Sequence, residues 1–131
     1  MGDLLQSLRQ AAGGMAAQTA RLRHVSENIA NADTPGYRRK LVSFDQVRSG
    51  PSAERGLVVA GPVHLDRSAR ERIHDPSHPL ADATGHYEGS NVDLLVEIAD
   101  AREAQRSYEA NLRMFDQARQ MSSRVLELLR R

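Results

Sequence analysis

Residues 22–37 read Leu22-Arg23-His24-Val25-Ser26-Glu27-Asn28-Ile29-Ala30-Asn31-Ala32-Asp33-Thr34-Pro35-Gly36-Tyr37, a helical pattern that runs into an abrupt stop. Upstream, Leu4, Leu8, Ala11, Met15, Gln18, Leu22, Val25, Ile29 and Ala32 follow one another at alternating steps of four and three, and all but Gln18 are apolar. A repeat averaging 3.5 residues predicts a narrow seam for packing helix on helix, about 45 Å long. Pro35 disfavours helix at Thr34, so the helix is expected to end near Ala32 or Asp33. Gly13-Gly14 interrupts the pattern. At roughly 1 kcal/mol per glycine relative to Ala, a kink or a frayed first third is expected there.

Between Tyr37 and Ser90, Pro and Gly punctuate short pieces. Lys40 to Val47 (Leu41, Val42, Phe44) and Gly56 to Leu65 (Leu57, Val58, Val59, Val63, Leu65) read as strands. Ser49 to Arg55 reads as a mobile loop, and the charged run Asp66 to Asp75 as a third strand or a short helix. After Gly89-Ser90-Asn91 a second helical pattern begins, with Ser90 or Asn91 as a cap and Asp93 in the first turn, where the helix dipole favours an acid. Leu94, Ile98, Ala101, Gln105, Tyr108, Leu112, Phe115, Arg119, Ser122, Leu126 and Leu129 again step four and three. A second row, Met114, Ala118, Met121, Val125 and Leu128, widens the apolar arc of the last third beyond what one partner helix covers.

The fold class that follows is mainly α: an antiparallel pair of long N- and C-terminal heptad-patterned helices with a small β-containing insert between them. Residues 1–36 form the first helix and its Pro-Gly turn, 37–90 the insert, and 91–131 the second helix. The two ends make one coiled-coil-like core. Helix-pairing and subunit-contact residues are expected at Leu8, Met15, Leu22, Val25, Ile29, Leu94, Ile98, Tyr108, Leu112, Phe115, Met121, Val125 and Leu128, with Gln18 and Gln105 close enough to pair across the seam. Counted back from the insert, the second helix outruns the first and leaves Leu126, Leu128 and Leu129 without a partner in the same chain. Such a hairpin barely offsets its ordering entropy, so the helices are expected to order fully only when other subunits cover them.

Composition excludes several alternatives. Among 131 residues, 40% are hydrophobic but only 4% aromatic, and there is no Trp, which argues against a deep aromatic pocket. Lys plus Arg number 18 against 17 for Asp plus Glu, a net charge of +1, so no global field recruits nucleic acid. The one basic accumulation, Arg102 through Arg131, is offset by Asp100, Glu103, Glu109, Asp116 and Glu127, which leaves nucleic-acid binding a remote alternative. Without cysteine there are no disulfides or thiol nucleophiles. The amino-terminal stretch lacks a signal-peptide core and no run is apolar enough to enter a membrane. His74 and His78 are four apart, but Pro76 and Pro79 prevent the helix that would make them a metal pair. No nucleophile elbow, phosphate loop or cofactor motif is present, so neither enzyme activity nor a cofactor is expected.

The run Asn28-Ile29-Ala30-Asn31-Ala32-Asp33-Thr34-Pro35-Gly36-Tyr37 after a heptad-patterned amino terminus resembles the N-terminal signature of bacterial flagellar rod and hook proteins. Asn91-Val92-Asp93, Glu97, Arg106-Ser107-Tyr108-Glu109-Ala110-Asn111 and Ala118-Arg119-Gln120-Met121 are similar to their C-terminal helix. Together these motifs span about half the chain. The short insert matches the proximal-rod types, and Pro79-Leu80-Ala81-Asp82-Ala83-Thr84-Gly85-His86-Tyr87 before Asn91-Val92-Asp93 resembles the FlgC type. Ser90, where that type usually has Pro, and the uninterrupted Ala32–Tyr37 run depart from it, the latter in the direction of the sister FlgB type, which stands as the alternative. The resemblance implies a non-catalytic subunit exported through the flagellar type III apparatus. It implies polymerisation in the periplasm, with copies of itself and other rod proteins, into the tubular shaft that carries torque and passes export substrates. Asn28, Asn31, Thr34, Pro35, Gly36 and Tyr37 read equally as a local helix stop, built from short polar side chains and a Pro-Gly turn, and as a subunit contact, and the two roles are compatible.

Overall fold

Helix α1 (Gly2–Ala30) runs without interruption through Gly13-Gly14 in the computed structural model, which describes residues 2–52 and 54–130. The expected fraying of the first third is absent, and both glycines sit where other elements come close. A Cβ on Gly14 would stand 2.6 Å from Asn111 Oδ1, and one on Gly13 would stand 3.2 Å from the Val58 carbonyl oxygen. Tertiary packing against these neighbours outweighs the propensity cost. The helix ends at Ala30, two residues before the sequence expectation. Asn31 donates its side-chain amide to the Glu27 carbonyl at 2.9 Å, and the amides of Ala32, Thr34 and Tyr37 close tight turns onto Ile29, Asn31 and Thr34. Gly36 then takes φ +76°, and its N–H reaches the carbonyls of Glu88 and Gly89, both at 3.1 Å.

The insert holds two separate two-stranded antiparallel sheets. Strands β1 (Lys40–Gln46) and β2 (Val58–Leu65) pair with a bulge between Val42 and Phe44, and β2 crosses α1 at Gly13. The charged run after Asp66 supplies a strand, β3 (Arg72–His74), which pairs with β4 (His86–Glu88).

Helix α2 (Leu94–Leu129) is capped by Asp93, whose carboxylate accepts from the Leu95 N–H at 3.0 Å. Ser90 and Asn91, the caps expected from sequence, have other tasks. Ser90 Oγ donates to the Ala32 carbonyl. Asn91 Oδ1 accepts from the Arg39 N–H at 2.6 Å, and its amide donates to the Asp66 carbonyl at 2.9 Å. Ser90 thereby ties the segment before α2 to the turn after α1, and Asn91 ties it to the insert, which leaves capping to the next polar side chain.

The two helices pack antiparallel. Arg21 reaches Glu103 at 3.3 Å, Gly14 lies under Asn111, and Leu4 and Met121 line one groove. These facing pairs keep a single register, so Gly2 lies opposite Ser123, and Arg124–Leu129 continues past the end of α1. The buried residues of the seam are small or polar: Ala11, Ala17, Val25 and Asn28 from α1, and Glu97, Ala104 and Ala118 from α2.

Candidate assembly surface and the polar joint that positions it

At the insert end the helices are held by directional bonds. Asn28 is 1% exposed and Glu97 0%. The Asn28 amide donates to the Lys40 carbonyl at 3.0 Å and to Glu97 Oε2 at 3.3 Å, while its Oδ1 accepts from Tyr37 Oη and from the Lys40 N–H, both at 2.8 Å. One amide thereby joins α1, its turn, β1 and α2. Glu97 also accepts from Arg39 Nε, and the same guanidinium reaches Asp100 at 2.8 Å and lies 3.7 Å from Asp66. Lys40 Nζ pairs with Glu27 at 2.6 Å.

The titrations follow from this geometry. Burial works against the Arg39 charge, but the bond to Glu97 and the fields of Glu97, Asp100 and Asp66 outweigh it and hold its pKa above the ordinary value. Burial raises the Tyr37 phenol. The mutual hydrogen bond lowers Glu27 and raises Lys40.

Of the residues marked in the sequence, the joint gathers Asn28, Tyr37 and Asn91. Asn31 closes α1, Pro35 and Gly36 form the turn, Val92 is half-buried, and Asp93 caps α2. Arg39, Lys40, Asp66 and Asp100 carry no motif of their own. Their one signal is Glu97 and Asp100, two acids three apart on one helix face near its start, which call for cations from outside the helix.

The seam itself differs from the row read off the sequence. Within α2 the residues at zero or near-zero exposure are Glu97, Ala104 and Ala118, whereas Leu94, Ile98 and Leu112 are 49%, 45% and 40% exposed. Tyr108, Phe115 and Val125 are half-buried. On α1, Val25 is buried, Leu8, Met15 and Leu22 are half-buried, and Ile29 is exposed. Gln105 lies in solvent and makes no bond to Gln18, whose buried Oε1 has no partner. Met121, Leu126, Leu128 and Leu129 are all exposed, the last at 73%.

The surface left open is thus a large fraction of both helices, joined at one end by this polar network. Two family models match the same two regions: "Flagella basal body rod protein" over residues 8–38 and "Flagellar basal body rod FlgEFG protein C-terminal" over residues 83–128. Flagellar basal-body rod protein FlgC of Agrobacterium fabrum is 40% identical, with 99% of this chain and 98% of that protein covered. The FlgC proteins of Salmonella typhimurium (34%; 95% of this chain and 97% of that protein) and Bacillus subtilis (32%; 93% and 95%) match likewise. The chain belongs to the FlgC family. It is a structural component of the flagellar basal-body rod. Asn28 and Tyr37 fall within the first matched region and Asn91, Glu97 and Asp100 within the second, so the FlgC joint is built from both, with Arg39, Lys40 and Asp66 supplied by the insert between them.

Three histidines of this FlgC chain's insert, His74, His78 and His86, make local ring contacts. His74 and His86 rings lie 4.6 Å apart, and His78 stacks on Tyr87 at 3.9 Å. Asp82 is pulled down to about 2 by the Thr84 hydroxyl and the His86 N–H, and Asp75 is lowered by Ser77. Among the described residues no group of three or more ligating side chains is placed to hold a metal ion, and no helix is long and apolar enough to cross a membrane.

Proposed function

We propose that this chain is a non-catalytic subunit of the proximal rod that assembles, through its terminal helices, with copies of itself and with other rod proteins. It is exported unfolded by the flagellar type III apparatus and polymerises in the periplasm into a tubular shaft. The shaft transmits torque and passes later export substrates. The observation that carries this reading is the end of α2: Leu126, Leu128 and Leu129 project beyond α1 at 50%, 67% and 73% exposure. At about 1.5–3 kcal/mol for each leucine fully buried, covering them by a neighbour supplies several kcal/mol of association free energy. A two-helix seam lined with Ala and polar groups suits passage in the unfolded state, because in a single copy it offsets the ordering entropy by only a small margin.

The test is a strain lacking the gene, complemented with an epitope-tagged copy. The expected result is loss of swimming and of complete basal bodies in the deletion, with recovery of both and of the tagged chain in purified basal bodies on complementation. Intact filaments and normal swimming in the deletion strain overturn the reading.

A further inference from the structure

The sequence holds four methionines and neither Cys nor Trp, so thioethers are its only sulfur and the side chains most open to two-electron oxidation. Met1 lies outside the described residues. Of the other three, Met15 is half-buried, whereas Met114 and Met121 are 60% and 47% exposed. The exposed pair stands seven residues apart on α2, about 10.5 Å along one side of the helix. Both side chains wall a groove of about 250 Å³ at the open end of the helical pair, with Leu4 of α1 on the same groove.

Hydrogen peroxide reaches these two sulfurs from solvent without any part of the fold opening. The thioether sulfur gives an electron pair to one peroxide oxygen, so that an S–O bond forms and the O–O bond breaks. The departing hydroxide takes the proton from the oxygen that stays on sulfur and leaves as water. Sulfur loses two electrons and the peroxide gains them. The product, methionine sulfoxide, is polar where the thioether was apolar and adaptable to a neighbour's shape. Gln10 and Gln117 carry side-chain amide donors on the walls of the same groove, and a sulfoxide oxygen accepts from such groups. The folded chain therefore tolerates the added oxygens. What changes is the open surface, because covering two sulfoxides takes strong dipoles out of water and opposes association. A dithiol-dependent sulfoxide reductase reverses the step, releasing the oxygen as water while two thiols become a disulfide.

We infer that Met114 and Met121 form a reversible oxidation site that turns the open end of the subunit from assembly-competent to incompetent while leaving its fold intact. The inference rests on the assembly reading above and adds a modification that acts on it. The test treats the purified full chain with hydrogen peroxide and follows each methionine by peptide mass spectrometry, with circular dichroism alongside. Met114 and Met121 should each take up one oxygen about fivefold or more faster than Met15, with an unchanged helical signal. Methionine sulfoxide reductases for both epimers, supplied with dithiothreitol, should then remove both oxygens. Oxidation of Met15 at the same rate, loss of the helical signal as the oxygens enter, or oxygens that the reductases leave in place overturns the inference.

A second arm expresses tagged variants in the deletion strain. Met114→Leu with Met121→Leu keeps the surface apolar and should be recovered in basal bodies like the unmodified chain. Met114→Gln with Met121→Gln, close to the sulfoxide in size and polarity, should be recovered about tenfold less. Equal or greater recovery of the Gln variant overturns the inference. Absence of the unmodified tagged chain from basal bodies instead overturns the assembly reading, so the two failures are distinguishable.

Discussion

The two ends of the helical pair are built on different physics. At the insert end, Asn28 and Glu97 are buried and directional bonds join the elements: an amide with four hydrogen bonds, a guanidinium shared by Glu97 and Asp100, and a cap at Asp93. At the far end the helices meet through Leu4, Ala118 and Met121, and α2 continues alone. Directional bonds specify one geometry within a single copy, whereas apolar surface is indifferent to which copy covers it. The contrast teaches that one end fixes how the insert joins the helices, while the other leaves apolar surface uncovered within one copy.

The contrast breaks most severely at Glu97. Replacing it with Ala removes a buried partner from Arg39 and Asn28 together, and the expected loss in the isolated chain is about 3 kcal/mol. That corresponds to a fall of roughly 10 °C in melting midpoint for a chain of this size. A loss below about 1 kcal/mol by thermal circular dichroism would show that the joint does not hold the fold.

Acid is a milder probe of the same difference. The carboxylates with lowered pKa among the described residues, Glu27, Asp66, Asp75 and Asp82, all lie in the joint or the insert. A depressed folded pKa gives stability that is present above the ordinary value of 3.8 to 4.5 and is lost as pH falls through the folded value. Between pH 5 and pH 2 the insert and joint should therefore loosen, with the Asp82 carboxyl carbon titrating at about 2 by NMR. A midpoint near 3.8 would refute the Thr84 and His86 bonds. Lys40 runs the other way: its raised pKa gives stability below 10.5 that is lost as pH rises through the folded value.

The smallest effect on the isolated chain belongs to the far end. Leu126→Ser, Leu128→Ser and Leu129→Ser together should change its stability by no more than about 1 kcal/mol, since all three are exposed. The same variant should abolish swimming when it replaces the native gene, and unchanged motility would count against assembly through this end.

Periodicity and punctuation made the architecture legible. The 3.5-residue rows gave two long helices, Pro35-Gly36 gave the stop, and Val- and Leu-rich pieces between turn residues gave β1 and β2. These features are local, because helix spacing, the φ of proline and strand propensity act within a few residues. The candidate site was legible only in part. Asn28, Tyr37 and Asn91 stood out as turn formers, but their bonds run to residues 52 and more positions away as well as to near neighbours, and no spacing rule reaches Arg39 from Glu97.

By itself the sequence determined that two helices exist, within two or three residues where the first one stops, and that more apolar surface is present than one copy hides. Tertiary structure alone decided which column forms the seam. A wide apolar arc offers several seams of equal period, and the choice falls to the one where Gly13 and Gly14 admit Val58 and Asn111 at close range and where Asn28 meets Glu97. Close approach of backbones and pairing of buried charge depend on distances between remote segments, which no local pattern encodes.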